Sequence, residues 1–140
     1  MCIGNREGGD DAIGPYIADK LSGTGLEVID CETTPENYTS VVKQKNPNQL
    51  IMIDAVDMIL KPGEIRIVPK EKIGVMHVST HGIPISVLIN YLERYVKNIV
   101  LIGIQPKTMA GKLTKTIKES GDRLITIIKE NNLDQIQTLQ

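Results

Sequence analysis

Apolar residues along this chain occur in some segments at the spacing of a strand and in others at the spacing of a helix. The changes from one spacing to the other predict strands and helices in alternation. The continuous apolar runs 49–53 and 98–104 are typical of parallel strands that are buried on both faces. Residues 64–68 alternate strictly between polar and apolar side chains, which predicts a half-exposed edge strand. Apolar residues at helical spacing, bounded by Gly, Pro and Asn, predict helices that begin near residues 13, 35, 85 and 113. The third is predicted over 85–97 with Tyr95 among its buried residues, and a further strand is predicted over 26–31.

This alternation predicts a three-layer α/β sandwich, in which helices flank a twisted, mostly parallel central sheet with one antiparallel edge strand. The 140 residues fit one domain that buries a sizeable core. We therefore expect a single domain over 1–140, with a frayed polar tail at 134–140. The first strand, Met1-Cys2-Ile3, is shorter than the usual length of about 5–6 residues, so we expect a stub in the sheet.

Composition and charge narrow the possible partners. The formal net charge of −1 gives no reason to expect binding to nucleic acid or to a membrane surface. No apolar run reaches membrane length, and the first residues lack the pattern of a signal peptide. Cys2 and Cys31 form neither a disulfide framework nor a paired metal motif. These features together favour a cytoplasmic protein.

The segment Gly4–Pro15 concentrates the most unusual chemistry in the chain. Four glycines allow a tight loop between the first strand and the first helix, and Asp10 and Asp11 follow within it. One acid at a helix start is ordinary capping, whereas two place negative charge where α/β proteins often keep a site. The same acids argue against a phosphate cradle, as does the absence of a Gly-Lys-Ser/Thr ending.

Two further polar clusters are expected at the same edge of the sheet. Asp54 and Asp57 follow a buried strand, and His77 and His81 lie in the loop before the third helix. Two carboxylates and an imidazole that converge suit a divalent transition metal. Each also has a structural interpretation: an acid can cap a helix or a turn, and His77 lies in an extended apolar segment. His81, between Thr80 and Gly82, is the better candidate ligand.

Several motifs along the chain resemble those of the hydrogenase maturation endopeptidases, and of their HycI-type branch in particular. The resemblance extends from Gly4 to about Arg123. Its motifs are Gly4-Asn5 with Gly9-Asp10-Asp11-Ala12-Ile13-Gly14-Pro15, Ile53-Asp54-Ala55-Val56-Asp57-Met58, Lys61-Pro62-Gly63-Glu64-Ile65-Arg66-Ile67, Ser79-Thr80-His81-Gly82-Ile83-Pro84 and Gly103-Ile104-Gln105-Pro106.

The resemblance implies an endopeptidase that removes a short C-terminal extension from the large-subunit precursor of a nickel–iron hydrogenase, once nickel has been inserted. It also implies that Asp11, Asp54 and His81 are the metal ligands and the catalytic residues, while Asp10 remains a structural acid. The nickel would be supplied by the substrate, and the site would be empty in the isolated protein. The family fold, a twisted sheet between helices, agrees with the fold predicted from the pattern.

A second interpretation stays open at this point. A non-catalytic α/β protein could bind nickel or the precursor without cutting it, and the short first strand is the feature that favours this alternative. The three candidate ligands Asp11, Asp54 and His81 are all present, which favours the endopeptidase.

Overall fold

The computed structural model of the chain describes residues 1–74, 77–78 and 82–140. Six strands are assigned within these ranges: β1 (Cys2–Ile3), β2 (Asp30–Glu32), β3 (Gln49–Asp57), β4 (Ile65–Val68), β5 (His77–Val78) and β6 (Asn98–Ile104). The helices are α1 (Ile13–Leu21), α2 (Thr39–Lys45), α3 (Lys70–Ile73), α4 (Ile85–Leu92) and α5 (Lys115–Lys129), and short 3-10 helices span Gly9–Ala12, Pro35–Tyr38 and Leu133–Gln135.

The central sheet has the strand order β2-β1-β3-β6-β4. The first four of these strands are parallel to their neighbours, and β4 pairs with β6 in the antiparallel direction. The predicted fold, with its antiparallel edge strand, is therefore confirmed. The two-residue strand β5 pairs antiparallel with the last two residues of β3.

Side chains that alternate along the strands pack into two cores, one on each face of the sheet. Met52 and Leu101 belong to the core that contains residues of α2 and α4. Ile53 and Ile102, the next residues along the same strands, belong to the core that contains residues of α1 and α5. This division follows from the period of two in a strand, and it produces the three layers.

The short first strand is hydrogen-bonded on both sides despite its length. Met1 donates its backbone nitrogen to the Ile51 oxygen at 2.8 Å and accepts the Ile53 nitrogen at 2.9 Å. On the other side, Cys2 donates to the Ile29 oxygen and Gly4 donates to Glu32, both at 2.8 Å. The glycine loop therefore leaves the sheet from a strand that both neighbours hold in place.

Two element predictions need correction. The strand predicted over 26–31 is reduced to Asp30–Glu32, because Cys2 pairs with Asp30 and no residue of β1 lies opposite Leu26. The helix predicted over 85–97 ends at Leu92, and the chain continues in a turn. As a result Tyr95, which was expected in the core, is 45% exposed.

The expected fraying of residues 134–140 is also wrong. Ile67 of β4 donates its backbone nitrogen to Gln137 at 2.9 Å and accepts the Leu139 nitrogen at 2.8 Å. Ile136 and Leu139 are buried, so the tail covers the outer edge of the sheet with apolar side chains. No helix among the described residues is long and apolar enough to cross a membrane.

Candidate active site

Asp54 lies inside strand β3, where it pairs in parallel register with Gly103 of β6. The sequence had placed it just beyond the strand end. The strand continues to Asp57 because its ladder with β6 runs on to Ala55 and because β5 pairs with its last two residues. Asp54 is consequently a carboxyl group within the sheet itself, and its side chain is fully buried.

Neither carboxyl oxygen of Asp54 accepts a hydrogen bond from a residue that the structure describes. Burial raises the pKa of Asp54 well above the usual range, and the negative charge of Asp11 raises it further. The nearby amide of Ala55 opposes this shift without reversing it. An ionised carboxyl group in such surroundings is costly unless a cation or a proton compensates its charge.

The second acid, Asp11, is held by the glycine loop. It lies in the buried 3-10 helix Gly9–Ala12, which contacts β3, and its Oδ2 accepts the backbone nitrogen of Asn5 at 2.9 Å. Gly4 has a φ of +153°, and a Cβ there would collide with the Asp11 carbonyl oxygen. The loop can therefore fold back onto Asp11 only because glycine occupies this position.

The neighbouring acid, Asp10, has a different role. Its Oδ2 accepts the backbone nitrogens of Lys107 at 2.8 Å and Thr108 at 3.0 Å, and its Oδ1 accepts two hydrogen bonds from Thr114. Burial tends to raise the pKa of Asp10, but these hydrogen bonds outweigh it and lower the pKa below the usual value. Asp10 therefore fixes the loop between β6 and α5, which agrees with the structural role predicted for it.

The loop that Asp10 fixes also packs closely against the glycine loop. Gly9 has a φ of +63°, and a Cβ there would lie 2.6 Å from the Ala110 nitrogen. Gly9 donates its own nitrogen to the Gly111 oxygen at 3.1 Å. The two loops thus contact each other through the backbone, and the position of Asp11 depends on both.

His81, the predicted third member of the site, lies outside the described residues. For His77 the structure describes only the backbone, which pairs with Asp57. Gly82, directly after His81, lies against the carboxyl group of Glu36, since a Cβ at position 82 would collide with Glu36 Oε1. Gly82 therefore lies next to an acid that follows β2.

Sequence reasoning missed Glu36 as a residue of interest. Its Oε2 is buried and accepts no hydrogen bond from any residue that the structure describes. Glu36 lies in the short 3-10 helix Pro35–Tyr38, which has no long apolar period, so the pattern gave no signal for a partly buried acid. The contact with Gly82 and the buried Oε2, to which no described residue donates, reveal it.

Gln105 is a second residue whose position the sequence did not explain. It follows β6, its side chain is buried, and its Oε1 accepts the backbone nitrogens of Met58 at 2.6 Å and Leu60 at 3.2 Å. Its Nε2 donates to Asp57 Oδ1 at 3.1 Å. Gln105 thereby ties the turn after β3 to the end of β6, next to the strand that carries Asp54.

The described part of the chain thus brings together Asp11 and Asp54, two of the three predicted metal ligands. Within that part no group of three or more potential metal-binding side chains occurs. A buried carboxyl group that accepts no hydrogen bond from the described residues, beside a second carboxylate, suits the capture of a cation or the transfer of a proton.

Comparison with known proteins identifies the family of the chain. The family model described as "Hydrogenase maturation protease", HycI, matches residues 16–131. The chain belongs to this family. It is accordingly a peptidase, which is a hydrolase, and the resemblance drawn from the motifs is confirmed.

Individual members of the family cover most of the chain. The hydrogenase 3 maturation protease of Escherichia coli K12 is 35% identical over 126 residues, which are 86% of this chain and 81% of that protein. The solution structure of the endopeptidase HycI from Escherichia coli covers 99% of this chain and 94% of its own, with 30% identity and a TM-score of 0.89. The crystal structure of HycI from Thermococcus kodakarensis covers 94% and 88%, with 31% identity and a TM-score of 0.82.

Proposed function

We propose that this peptidase removes the C-terminal extension of the large-subunit precursor of a nickel–iron hydrogenase after nickel insertion. In this proposal Asp11, Asp54 and His81 recognise the nickel that the precursor carries, so the metal arrives as part of the substrate. Membership of the hydrogenase maturation protease family supports the class of substrate.

The Asp54 carboxyl group, to which no described residue donates a hydrogen bond, is the observation that carries the proposal. A buried acid without a donor destabilises its own protein, and it persists where function requires it. Because Asp11 adds a second negative charge, the arrival of a divalent cation compensates both groups at once. Carboxylate oxygen together with imidazole is a ligand set that nickel accepts. Recognition of the metal would thereby report that the precursor is ready to be cut.

The chemistry then requires a base and a polarised carbonyl group. Bound nickel would position the scissile peptide and, as a Lewis acid, would polarise its carbonyl group or a water molecule. Either Asp11 or Asp54, whichever the metal leaves free, accepts the proton of the attacking water. The raised pKa of Asp54 suits a group that exchanges a proton during the reaction.

The decisive experiment mixes the purified protein with nickel-loaded and nickel-free precursor and follows the C-terminus by mass spectrometry. We expect the extension to be released from the nickel-loaded precursor alone. Binding without release would instead support the alternative of a non-catalytic binding protein.

Variants of the three site residues test the assignment within the same assay. Asp11→Ala, Asp54→Ala and His81→Ala should each abolish release while the circular dichroism spectrum stays that of the folded protein. Asp134→Ala is the matched control, since Asp134 is an exposed acid in the short 3-10 helix Leu133–Gln135 and is not assigned to the site. Normal processing by Asp54→Ala would refute the assignment of Asp54 to the site.

A further inference from the structure

Ile59 has the most unfavourable combination of conformation and exposure among the large apolar residues that the structure describes. Its φ is +57°, in the left-handed region, and its side chain is 89% exposed. A β-branched residue rarely adopts this conformation, which costs free energy in the folded protein. Its exposure means that packing of the side chain within the described chain does not compensate the cost.

The turn that carries Ile59 is fixed from both ends. Met58 and Leu60 donate their backbone nitrogens to Gln105 Oε1, and Ile59 donates its own nitrogen to Asp57 Oδ1 at 3.1 Å. Met58 is buried, and Leu60 packs against the same core. Three successive amides are therefore bound to two side chains, so the strained conformation is held in one geometry.

The position of this turn relates it to the candidate site. Ile59 comes two residues after the end of β3, the strand that contains Asp54. Gln105, which binds the turn, follows β6, the partner strand of Asp54. The exposed side chain is consequently presented at the carboxyl end of the sheet, where a protein substrate must approach to reach Asp54.

We propose that Ile59 is a docking residue that inserts into an apolar depression on the folded precursor, beside the segment to be cut. This inference rests on the proposed function, because it takes the precursor as the partner. The fixed turn would hold the backbone of Ile59 in its binding conformation before the precursor arrives, so that little backbone entropy is lost at this residue on binding. Backbone strain at such a place is the kind that function explains.

The test compares the wild-type protein with Ile59→Asn, Ile59→Leu and Leu26→Asn. Asparagine tolerates the left-handed region, so Ile59→Asn removes the apolar side chain without adding strain. Leucine retains the apolar side chain. Leu26 is 46% exposed but precedes β2, at the opposite end of the sheet, and Leu26→Asn therefore serves as the control.

For each protein, the KM and kcat for nickel-loaded precursor are measured together with the Kd for the precursor and the melting temperature. We expect Ile59→Asn to raise KM and Kd about tenfold or more, since burial of an isoleucine side chain is lost. Its kcat should stay unchanged and its melting temperature should be equal to or above that of the wild type. Ile59→Leu and Leu26→Asn should leave KM and Kd within about twofold of wild type.

Several outcomes would overturn the inference, and they differ from failure of the proposed function. Binding and cleavage by the wild type, with KM and Kd unchanged in Ile59→Asn, would reject the docking role alone. A lower melting temperature of Ile59→Asn would show that the side chain stabilises its own chain. Sedimentation velocity measures the oligomeric state of both proteins. A wild-type dimer that dissociates on Ile59→Asn would assign Ile59 to a contact between two copies. A wild type that neither binds nor cuts the precursor would reject the proposed function itself.

Discussion

Thr114 donates two hydrogen bonds to the same oxygen of Asp10, Oδ1, one from its backbone nitrogen and one from its hydroxyl group, each 2.8 Å long. The two residues are 104 positions apart, and this contact joins the glycine loop to the start of α5. Asp10→Ala would leave the three partly buried backbone donors of Lys107, Thr108 and Thr114 without this acceptor. We expect a loss of roughly 3 kcal/mol in the free energy of unfolding, measured by urea denaturation.

A surface acid provides the control for this prediction. Asp19 is exposed and pairs with Arg6 at 2.8 Å. Asp19→Ala should cost less than about 1 kcal/mol, because exposed ion pairs contribute little. Equal effects of the two substitutions would show that the hydrogen bonds of Asp10 are not what holds the loop.

The stabilisation by Asp10 should also depend on pH in a defined direction. Its pKa in the folded protein is lower than in the unfolded chain, because the hydrogen bonds favour the charged form. The stabilisation is therefore complete above the unfolded value of about 3.9 and is lost as the pH falls through the folded pKa. The difference in unfolding free energy between wild type and Asp10→Ala should narrow as the pH is lowered from about 5 into this range. A difference that stays constant with pH would contradict the assignment.

The adjacent acids show what the sequence could and could not predict. The strand-loop-helix pattern predicted that Asp10 and Asp11 lie at the edge of the sheet, because apolar periods on either side define where the elements change. Their separate roles depend on atoms more than ninety residues away, such as the amide of Lys107, and no local pattern encodes those contacts. The motif resemblance separated the two acids where local chemistry left both possible.

Longer-range packing also explains the elements that were misplaced. Asp54 was expected after the strand, since a charged residue usually ends an apolar run, but pairing on both sides extends β3 past it. The tail after Leu133 is polar in sequence, yet Gln137 and Leu139 form backbone hydrogen bonds with Ile67 of β4, and the side chains of Ile136 and Leu139 are buried. In both cases the decisive partner lies far along the chain, beyond any window of local periodicity.

Asp54→Asn should make the protein more stable at neutral pH while it abolishes processing. The raised pKa of Asp54 means that the folded protein holds this proton more tightly than the unfolded chain does. Stability is therefore lost as the pH rises above the unfolded value, and a neutral isostere removes this loss. We expect a gain of about 1 kcal/mol or more at pH 7, measured by urea denaturation, and a flatter pH dependence. A variant less stable than wild type at pH 7 would show that the ionised carboxyl group is stabilised in the folded protein.

The two cysteines should be unreactive until the protein unfolds. Burial raises the pKa of Cys2, and it raises the pKa of Cys31 to about 12. Because the thiolate is the reactive form, both thiols should resist a disulfide reagent such as Ellman's reagent at pH 8. Both should react at once in denaturant, which serves as the control for the reagent. Rapid labelling of either thiol in the native protein would contradict the packing of β1 against β2.

Gln105 should be required for the geometry of the turn after β3, and two substitutions separate its functions. Gln105→Ala removes both the acceptor for Met58 and Leu60 and the donor to Asp57, and we expect a loss of about 2 kcal/mol in unfolding free energy. Gln105→Glu retains an acceptor but places a second negative charge beside Asp57, so its penalty should be present at neutral pH and should decrease on acidification, as the new carboxyl group is protonated.

Urea denaturation at pH 7 and pH 5 measures both variants of Gln105. Precursor binding, assayed in parallel, should weaken in Gln105→Ala, because the turn that presents Ile59 loses two of its fixed amides, Met58 and Leu60. The combination Gln105→Ala with Ile59→Asn should then weaken binding no further than Ile59→Asn does, since both changes act through one side chain. Additive losses in the double variant would instead give Gln105 a separate role at the site.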